Sequence, residues 1–251
     1  MKKSCPIIEI TETASTNDYI RHLHEAGQLP EGTVVSALFQ TRGRGQMGNA
    51  WESEAGKNLL FSTLLFPTKV KANEQFIISQ TVALSLQEAL ERYVKPISIK
   101  WPNDIYYGEK KLAGILIEND ICGKTIALSV VGVGINVNQE AFTSGAPNPV
   151  SLKRILGCEI DKELLLNAFL ERLFFNYALL NSGGSGEIRE KYHAALFRKE
   201  GFFPFRDERS FFTARIAGVD AMGYLHLVTE NGEKKEYFFK EVSFVLSSEK
   251  S

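Results

Sequence analysis

Cysteine is scarce in this chain, with three among 251 residues. Cys5, Cys122 and Cys158 are widely scattered, cannot all pair with one another and have no metal-ligand spacing. That argues against a disulfide framework or a thiolate metal site and predicts a reduced compartment. Surplus charge is missing too: 29 Lys and Arg against 30 Asp and Glu give a formal net charge of -1. Neutralising a phosphate backbone takes a clear excess of cations, so the balance predicts no dedicated nucleic-acid partner and leaves room only for a local basic patch. No apolar run approaches the roughly 20 residues of a membrane-crossing helix, which predicts no membrane association. Met1-Lys2-Lys3 looks like the start of a secretory leader, but Glu9, Thr11 and Glu12 break the apolar stretch behind it. The expectation is a cytoplasmic protein. No Ser-His-Asp or Cys-His arrangement suggests a covalent enzyme intermediate, and His22, His24, His193 and His226 read as structural or surface residues.

What is present is a composition of 44% hydrophobic and 24% charged residues, that of a soluble globular chain with a substantial core. The length suits one large domain, or one of ordinary size with a small companion. The most distinctive stretch is 40–53, Gln-Thr-Arg-Gly-Arg-Gly-Gln-Met-Gly-Asn-Ala-Trp-Glu-Ser, between two apolar runs that read as strands. Gly43, Gly45 and Gly48 let the backbone approach a ligand, and Arg42 and Arg44 bring cationic forks to the same place. This suits a phosphate or another anion. The same composition also suits a mobile surface loop or an Arg-Gly contact to RNA.

Along the chain, Ser15-Thr16-Asn17 can cap a helix that stops at Gly27 and Pro30. Strands are predicted at 33–40 and 58–66. A helix should start at Asn73 and Glu74, carry the core stripe Ile78, Val82, Leu86, Leu90 and Val94, and end at Pro96. A short strand, 97–101, leads into Trp101-Pro102-Asn103-Asp104, where proline interrupts pairing and can expose Asn103 and Asp104; an ordinary turn is the plain alternative. Lys111 opens the nearly apolar strand Leu112-Ala113-Gly114-Ile115-Leu116, so its ammonium could face a ligand's charge or simply reach water. Gly132-Val133-Gly134-Ile135-Asn136 lies in another strand and lacks the third glycine and following helix of a dinucleotide fingerprint. A surface loop at 139–150 precedes a short helix capped by Ser151, a long helix opened by Asp161, a breaker cluster at 181–186 and a helix over 187–197. Beyond Glu200 the texture becomes short alternating strands, at 211–216, 223–229 and 235–239, with an Asn231-Gly232 hairpin signal.

Taken together, Ser15-Thr16-Asn17, the Gly43-Arg44-Gly45 loop with Gly48 and Trp51, Lys100-Trp101-Pro102-Asn103-Asp104, Lys111-Leu112-Ala113-Gly114-Ile115-Leu116 and Gly132-Val133-Gly134-Ile135-Asn136 closely resemble the motifs of biotin protein ligases, in that family's order. The resemblance covers essentially the whole chain. It implies an α+β fold: a mixed sheet with flanking helices like that of class II aminoacyl-tRNA synthetases, plus a small C-terminal SH3-like β-barrel. The catalytic biotin- and ATP-binding domain would span 1–199 and the β domain 200–251. The Ser-Thr-Asn motif comes so early that no N-terminal DNA-binding domain is expected. The implied activity is ATP-dependent formation of biotinyl-5'-AMP with release of pyrophosphate, followed by transfer of biotin to a lysine of a biotin carboxyl carrier protein. ATP and Mg2+ are the implied cofactors, and a homodimer is left open.

Residue by residue, the resemblance implies that Ser15, Thr16, Gln40, Gly43, Arg44, Lys111 and Gly114 contact biotin. Gly45, Gln46, Trp51, Asn103, Asp104 and Asn136 fall to ATP and the adenylate, with Asp104 as the magnesium ligand. Lys111 and Arg44 would carry the catalysis. The neutral head-group partners suit an uncharged ureido ring. A lysine and an arginine suit the meeting of a carboxylate with a phosphate, and a loop that excludes water suits a reactive anhydride. One departure is that Gln46 and Met47 stand where the family has basic residues, so the loop has lost positive charge unless Arg42 replaces it. A lipoate or octanoate ligase of the same fold and a non-catalytic biotin-sensing protein are the alternatives. The loop has no histidine of the lipoate type, and Lys111 and Asp104 are intact.

Overall fold

The protein is described from a computed structural model that covers residues 5–143 and 148–246. Met1-Lys2-Lys3 and residues 144–147 of the predicted surface loop lie outside the described residues. The elements are β1 (Ile7–Thr13), α1 (Thr16–Gly27), β2 (Val34–Gln40), β3 (Leu59–Leu65), α2 (Phe76–Leu90), β4 (Ile97–Lys100), β5 (Asp104–Tyr107), β6 (Lys110–Cys122) and β7 (Thr125–Ile135). They continue as α3 (Leu152–Leu156), α4 (Lys162–Asn181), α5 (Ser185–Ala194), β8 (Phe203–Asp207), β9 (Phe211–Val219), β10 (Leu225–Thr229), β11 (Lys234–Tyr237) and β12 (Val242–Phe244). None of these helices is long and apolar enough to cross a membrane.

The first seven strands form one mixed sheet in the order β1-β2-β3-β7-β6-β5-β4. The β1–β2 pair is parallel, and its neighbours run antiparallel. β3 is buried along all seven residues, which explains the unbroken apolar texture of Leu59, Leu60, Phe61, Leu64 and Leu65. One face packs against α1 through Ile20, Val35, Leu64 and Val130. The other packs against α2, α4 and α5, where Phe61 and Phe169 meet at 5.2 Å between ring centroids.

α2 differs from its sequence expectation. Asn73 and Glu74 lie in a separate 3-10 turn, and Val94 falls beyond the helix, where Tyr93 and Val94 N–H both turn back to Leu90 C=O. The surviving helix is buried on nearly every side, because α4 and α5 cover what the sheet does not. Asp161 caps α4 as expected, accepting from Glu163 N–H at 2.8 Å and Leu164 N–H at 3.1 Å. Ser151 likewise caps α3 by accepting from Arg154 N–H at 3.2 Å. β1, β8 and β12 were not legible in the sequence. β1 is an edge strand with Glu9 and Glu12 on it, β8 contains Pro204, and β12 has three residues.

The C-terminal strands form a second, antiparallel sheet in the order β11-β10-β9-β8-β12. The expectation of a closed β-barrel is corrected here: β11 and β12 occupy opposite edges and do not pair. With four and three residues these strands are too short to lap over one another and close the ring. The sheet shares one core with the helices. Trp101 and Phe239 rings meet at 5.5 Å, Trp101 Nε1 donates to Gly223 C=O at 2.9 Å, and Arg198 reaches both Val245 C=O and Glu109.

Within this sheet Asp207 accepts from Tyr237 O–H at 2.7 Å and from Arg209 and Ser210 N–H at 2.9 and 2.8 Å. These bonds, the tyrosine's first, hold its carboxyl at about 2, against about 3.9 for a free aspartate. Because the folded value is depressed, the stabilisation is present above pH 4 and is lost as pH falls toward 2. Asp207→Asn should therefore lower the Tm near neutrality, and the two melting curves should converge on acidification. A difference that persists unchanged at pH 2 would refute the assignment.

Candidate active site

A cleft of about 640 Å³ opens at one end of the large sheet. It is bounded by the start of α1, the 40–53 connection, the turn between β4 and β5, the facing ends of β6 and β7, and the segment around β12. The antiparallel register places Gly114 opposite both Gly134 and Asp104. This brings three distant motifs onto one wall.

At one end the groups are neutral. Gln40 Oε1 accepts from Thr16 N–H at 2.7 Å and from Thr16 Oγ1 at 3.1 Å. Ser62 Oγ lies 2.7 Å from Thr16 Oγ1 and 2.6 Å from Asn17 Oδ1. Ser15 occupies the N-cap position of α1, but its side chain makes no capping bond. One free backbone donor of the first turn, Thr16 N–H, is taken by Gln40 from β2, and with no capping bond of its own Ser15 does not fit the plain capping reading. Asn17 fits only because Gly132 has no side chain, since a Cβ there would lie 2.3 Å from Asn17 Oδ1.

At the centre, Lys111 Nζ lies 2.6 Å from Asp104 Oδ1 and 5.6 Å from the centroid of the Trp51 ring. The Trp51 indole rests against the two strand glycines. A Cβ on Gly134 would come within 2.5 Å of it, and one on Gly114 within 3.0 Å. Trp51 Nε1 is buried without a protein partner among the described residues. Asn136 is buried beside Lys111, with Nδ2 3.5 Å from Lys111 C=O. Asn103 sends Nδ2 to Ile115 C=O at 2.7 Å, so its amide braces the turn that presents Asp104.

The loop closes one side. An isolated bridge joins Arg44 to Ala50, and Gly45 N–H donates to Asn49 C=O at 2.6 Å. Arg44 Nη2 reaches Asp18 at 2.5 Å and Glu118 at 3.2 Å. Gln46 sits in a 3-10 turn on the cleft wall. Gly43 alone among the expected site residues does not line the cleft; its carbonyl accepts from Trp51 N–H at 2.9 Å and pins the loop. Arg42 is exposed and lies outside the cleft, so it does not replace the charge missing at Gln46.

Sequence reasoning missed the contribution of the second sheet. Lys240, Val242, Ser243, Phe244 and Leu246 complete the wall, and Lys100 Nζ lies 5.0 Å from the Tyr106 ring and 5.4 Å from the Phe244 ring. No local signal in 240–246 announces this. Among the described residues, four cations, Arg44, Lys100, Lys111 and Lys240, line the cleft with two carboxylates, Glu52 and Asp104. That balance suits a polyanion next to a neutral polar group. As a magnesium site the cleft offers, among the described residues, only Glu52, which accepts from Thr143, and Asp104, which pairs with Lys111. This fits an ion carried in on substrate phosphates and does not fit an all-protein cage. Asp220, His226 and Glu236 cluster elsewhere, but each histidine nitrogen faces a different carboxylate, at 3.3 and 3.4 Å.

Fold and cleft thus define an α+β enzyme with a neutral recognition pocket beside a cationic one. Residues 9–136 match the biotin/lipoate A/B protein ligase family, and the chain belongs to that family. It is 30% identical over 232 residues to the bifunctional ligase/repressor BirA of Bacillus subtilis, covering 90% of this chain and 70% of that protein. It is 31% identical over 196 residues to the biotin--[acetyl-CoA-carboxylase] ligase of Paracoccus denitrificans, covering 75% of this chain and 80% of that one. Its fold is similar to the biotin protein ligase from Aquifex aeolicus in complex with biotin and ATP, with a TM-score of 0.78, 29% identity, and 96% and 99% of the two chains covered.

Proposed function

We propose that this protein is an ATP-dependent biotin protein ligase that forms biotinyl-5'-AMP, releases pyrophosphate, and passes biotin to a lysine of a biotin carboxyl carrier protein. The observation that carries the reading is the adjacency, in one cleft, of the Thr16–Gln40–Ser62 group, the Lys111–Asp104 pair and Arg44. Ser15, Thr16 and Gln40 would bind the ureido ring at little desolvation cost. Lys111, already paired with a carboxylate, would exchange Asp104 for the biotin carboxylate and the α-phosphate as the two anions meet. Trp51, on its bed of Gly114 and Gly134, would offer a flat face to the adenylate, with Asn136 behind it. A magnesium ion, held by Asp104 and the phosphates, would supply charge neutralisation of the leaving pyrophosphate. In this reading 1–199 form the catalytic unit, with kinship to class II aminoacyl-tRNA synthetases, and 200–251 the β unit that closes its wall.

Giving the protein ATP with biotin or with lipoate and measuring ATP–pyrophosphate exchange tests the proposal. Exchange supported by lipoate alone would sink it in favour of a lipoate ligase. No exchange with biotin despite tight biotin binding would favour a sensing protein.

The loop carries a further expectation. Gln46 brings no charge, so retention of biotinyl-AMP falls to backbone N–H groups and Arg44. Arg44→Ala should speed escape of the intermediate by about tenfold, the worth of one charge-assisted hydrogen bond. Rapid escape from the unaltered enzyme, at a rate indifferent to Arg44→Ala, would contradict it.

A further inference from the structure

The loop arginine is held in place by groups outside the expected site. Both contacts of Arg44 use Nη2, with Asp18 Oδ1 at 2.5 Å and Glu118 Oε1 at 3.2 Å. Nε and Nη1 therefore keep their N–H groups for an anion in the cleft that Arg44 lines. Glu118 is fixed from its other side, since Oε2 accepts from Asn17 Nδ2 at 2.9 Å. Asn17 Oδ1 in turn meets Ser62 Oγ at 2.6 Å, and Ser62 Oγ meets Thr16 Oγ1 at 2.7 Å. A hydrogen-bonded chain thus runs from Gln40 and Thr16, through Ser62, Asn17 and Glu118, to Arg44.

An arginine on a glycine-rich loop has many rotamers, and holding it in one costs entropy at the moment an anion binds. Two carboxylates from rigid elements, Asp18 on α1 and Glu118 on β6, meet that cost beforehand. They grip one nitrogen of the fork and leave its other edge presented. We propose that Asp18 and Glu118 are positioning residues that clamp Arg44 for the acyl phosphate, and that Asn17 ties this clamp to the head-group pocket. The inference deepens the ligase reading and rests on it for the identity of the anion.

Two measurements test it. In the free protein, Glu118→Gln and Asp18→Asn should each raise the rate of tryptic cleavage after Arg44 about fivefold, the upper range for a half-exposed ion pair. Glu118→Asp, which keeps the charge, should recover most of the protection. With biotin and ATP, the same variants should speed release of biotinyl-AMP by a similar factor, with the KM for biotin little changed in Asp18→Asn. In an Arg44→Ala background the Glu118→Gln effect on release should shrink to what Glu118 does through Asn17, and the Asp18→Asn effect should vanish, because Asp18 acts only through that side chain. Unchanged cleavage, or an undiminished increment without Arg44, would overturn the proposal. If the unaltered protein forms no biotinyl-AMP, the ligase reading falls while the cleavage arm still decides whether the clamp exists.

Discussion

Lys111→Ala should reduce biotin-dependent ATP–pyrophosphate exchange by about a hundredfold to a thousandfold, the range seen when one preorganised charge-stabilising donor is removed from a closed site. The expectation follows from position. The ammonium lies 2.6 Å from Asp104 at the meeting point of β5, β6 and β7, with the Trp51 ring 5.6 Å away. No other cation of the cleft is carried by these three strands. The loss should appear in kcat, because the amine meets the fullest charge only as carboxylate and α-phosphate converge. Biotin binding measured by calorimetry should survive, since Thr16, Gln40 and Ser62 are untouched. Folding should survive too, for the side chain is about a quarter exposed. Lys111→Arg offers a control: a planar fork cannot reproduce a point charge between two anions, so it should restore little. Exchange retained within tenfold in Lys111→Ala would remove Lys111 from the catalytic role.

Gly132→Ala is expected to damage the other end of the cleft. A single added methyl would lie 2.3 Å from Asn17 Oδ1 and 3.0 Å from Asn17 Cγ, and both residues are buried. Asn17 cannot yield without leaving Ser62 or Glu118. Overpacking of this kind costs about 1–3 kcal/mol, or a Tm lowered by several degrees in a chain of this size. Breaking the Ser62–Asn17 contact should also weaken biotin binding by about tenfold, the worth of a buried hydrogen bond. Asn17→Ala in the same background removes the collision and should return most of the Tm without returning the affinity. Gly134→Ala provides the contrast, since its methyl meets Trp51 at 2.5 Å and should raise the KM for ATP more than that for biotin. Equal effects of both glycine variants on both substrates would show that the cleft lacks the two-ended layout described here.

Much of this layout is legible in the sequence. The alternation of apolar runs with Gly-rich breaks placed β2, β3, β6 and β7, the Asp161 and Ser151 caps placed α4 and α3, and the order of the motifs gave the family. Local chemistry suffices there because capping bonds and turn glycines act over a few residues. The same local view failed where burial came from outside. It drew α2 as a one-sided stripe, although α4 and α5 cover its remaining faces. It passed over β1, β8 and β12, whose pairing partners are supplied by other segments. It could not show that Thr16 N–H is taken by Gln40, 24 residues away, while Ser15 makes no capping bond.

The sequence by itself determined which chemistry this protein carries: neutral hydrogen-bonding groups in one motif, a lysine at a strand entrance, and arginine among glycines. Those are properties of residue types and need no partner to be recognised. Only the tertiary structure decided who touches whom. Asp104 meets Lys111 because an antiparallel register puts two strands side by side. The second sheet lends Lys240 and Phe244 to the cleft because it docks on Trp101. Arg44 is aimed by Asp18 and Glu118 because a helix and a strand distant in sequence converge beneath the loop. Contacts of that kind are fixed by packing across the whole core, which no window of neighbouring residues contains.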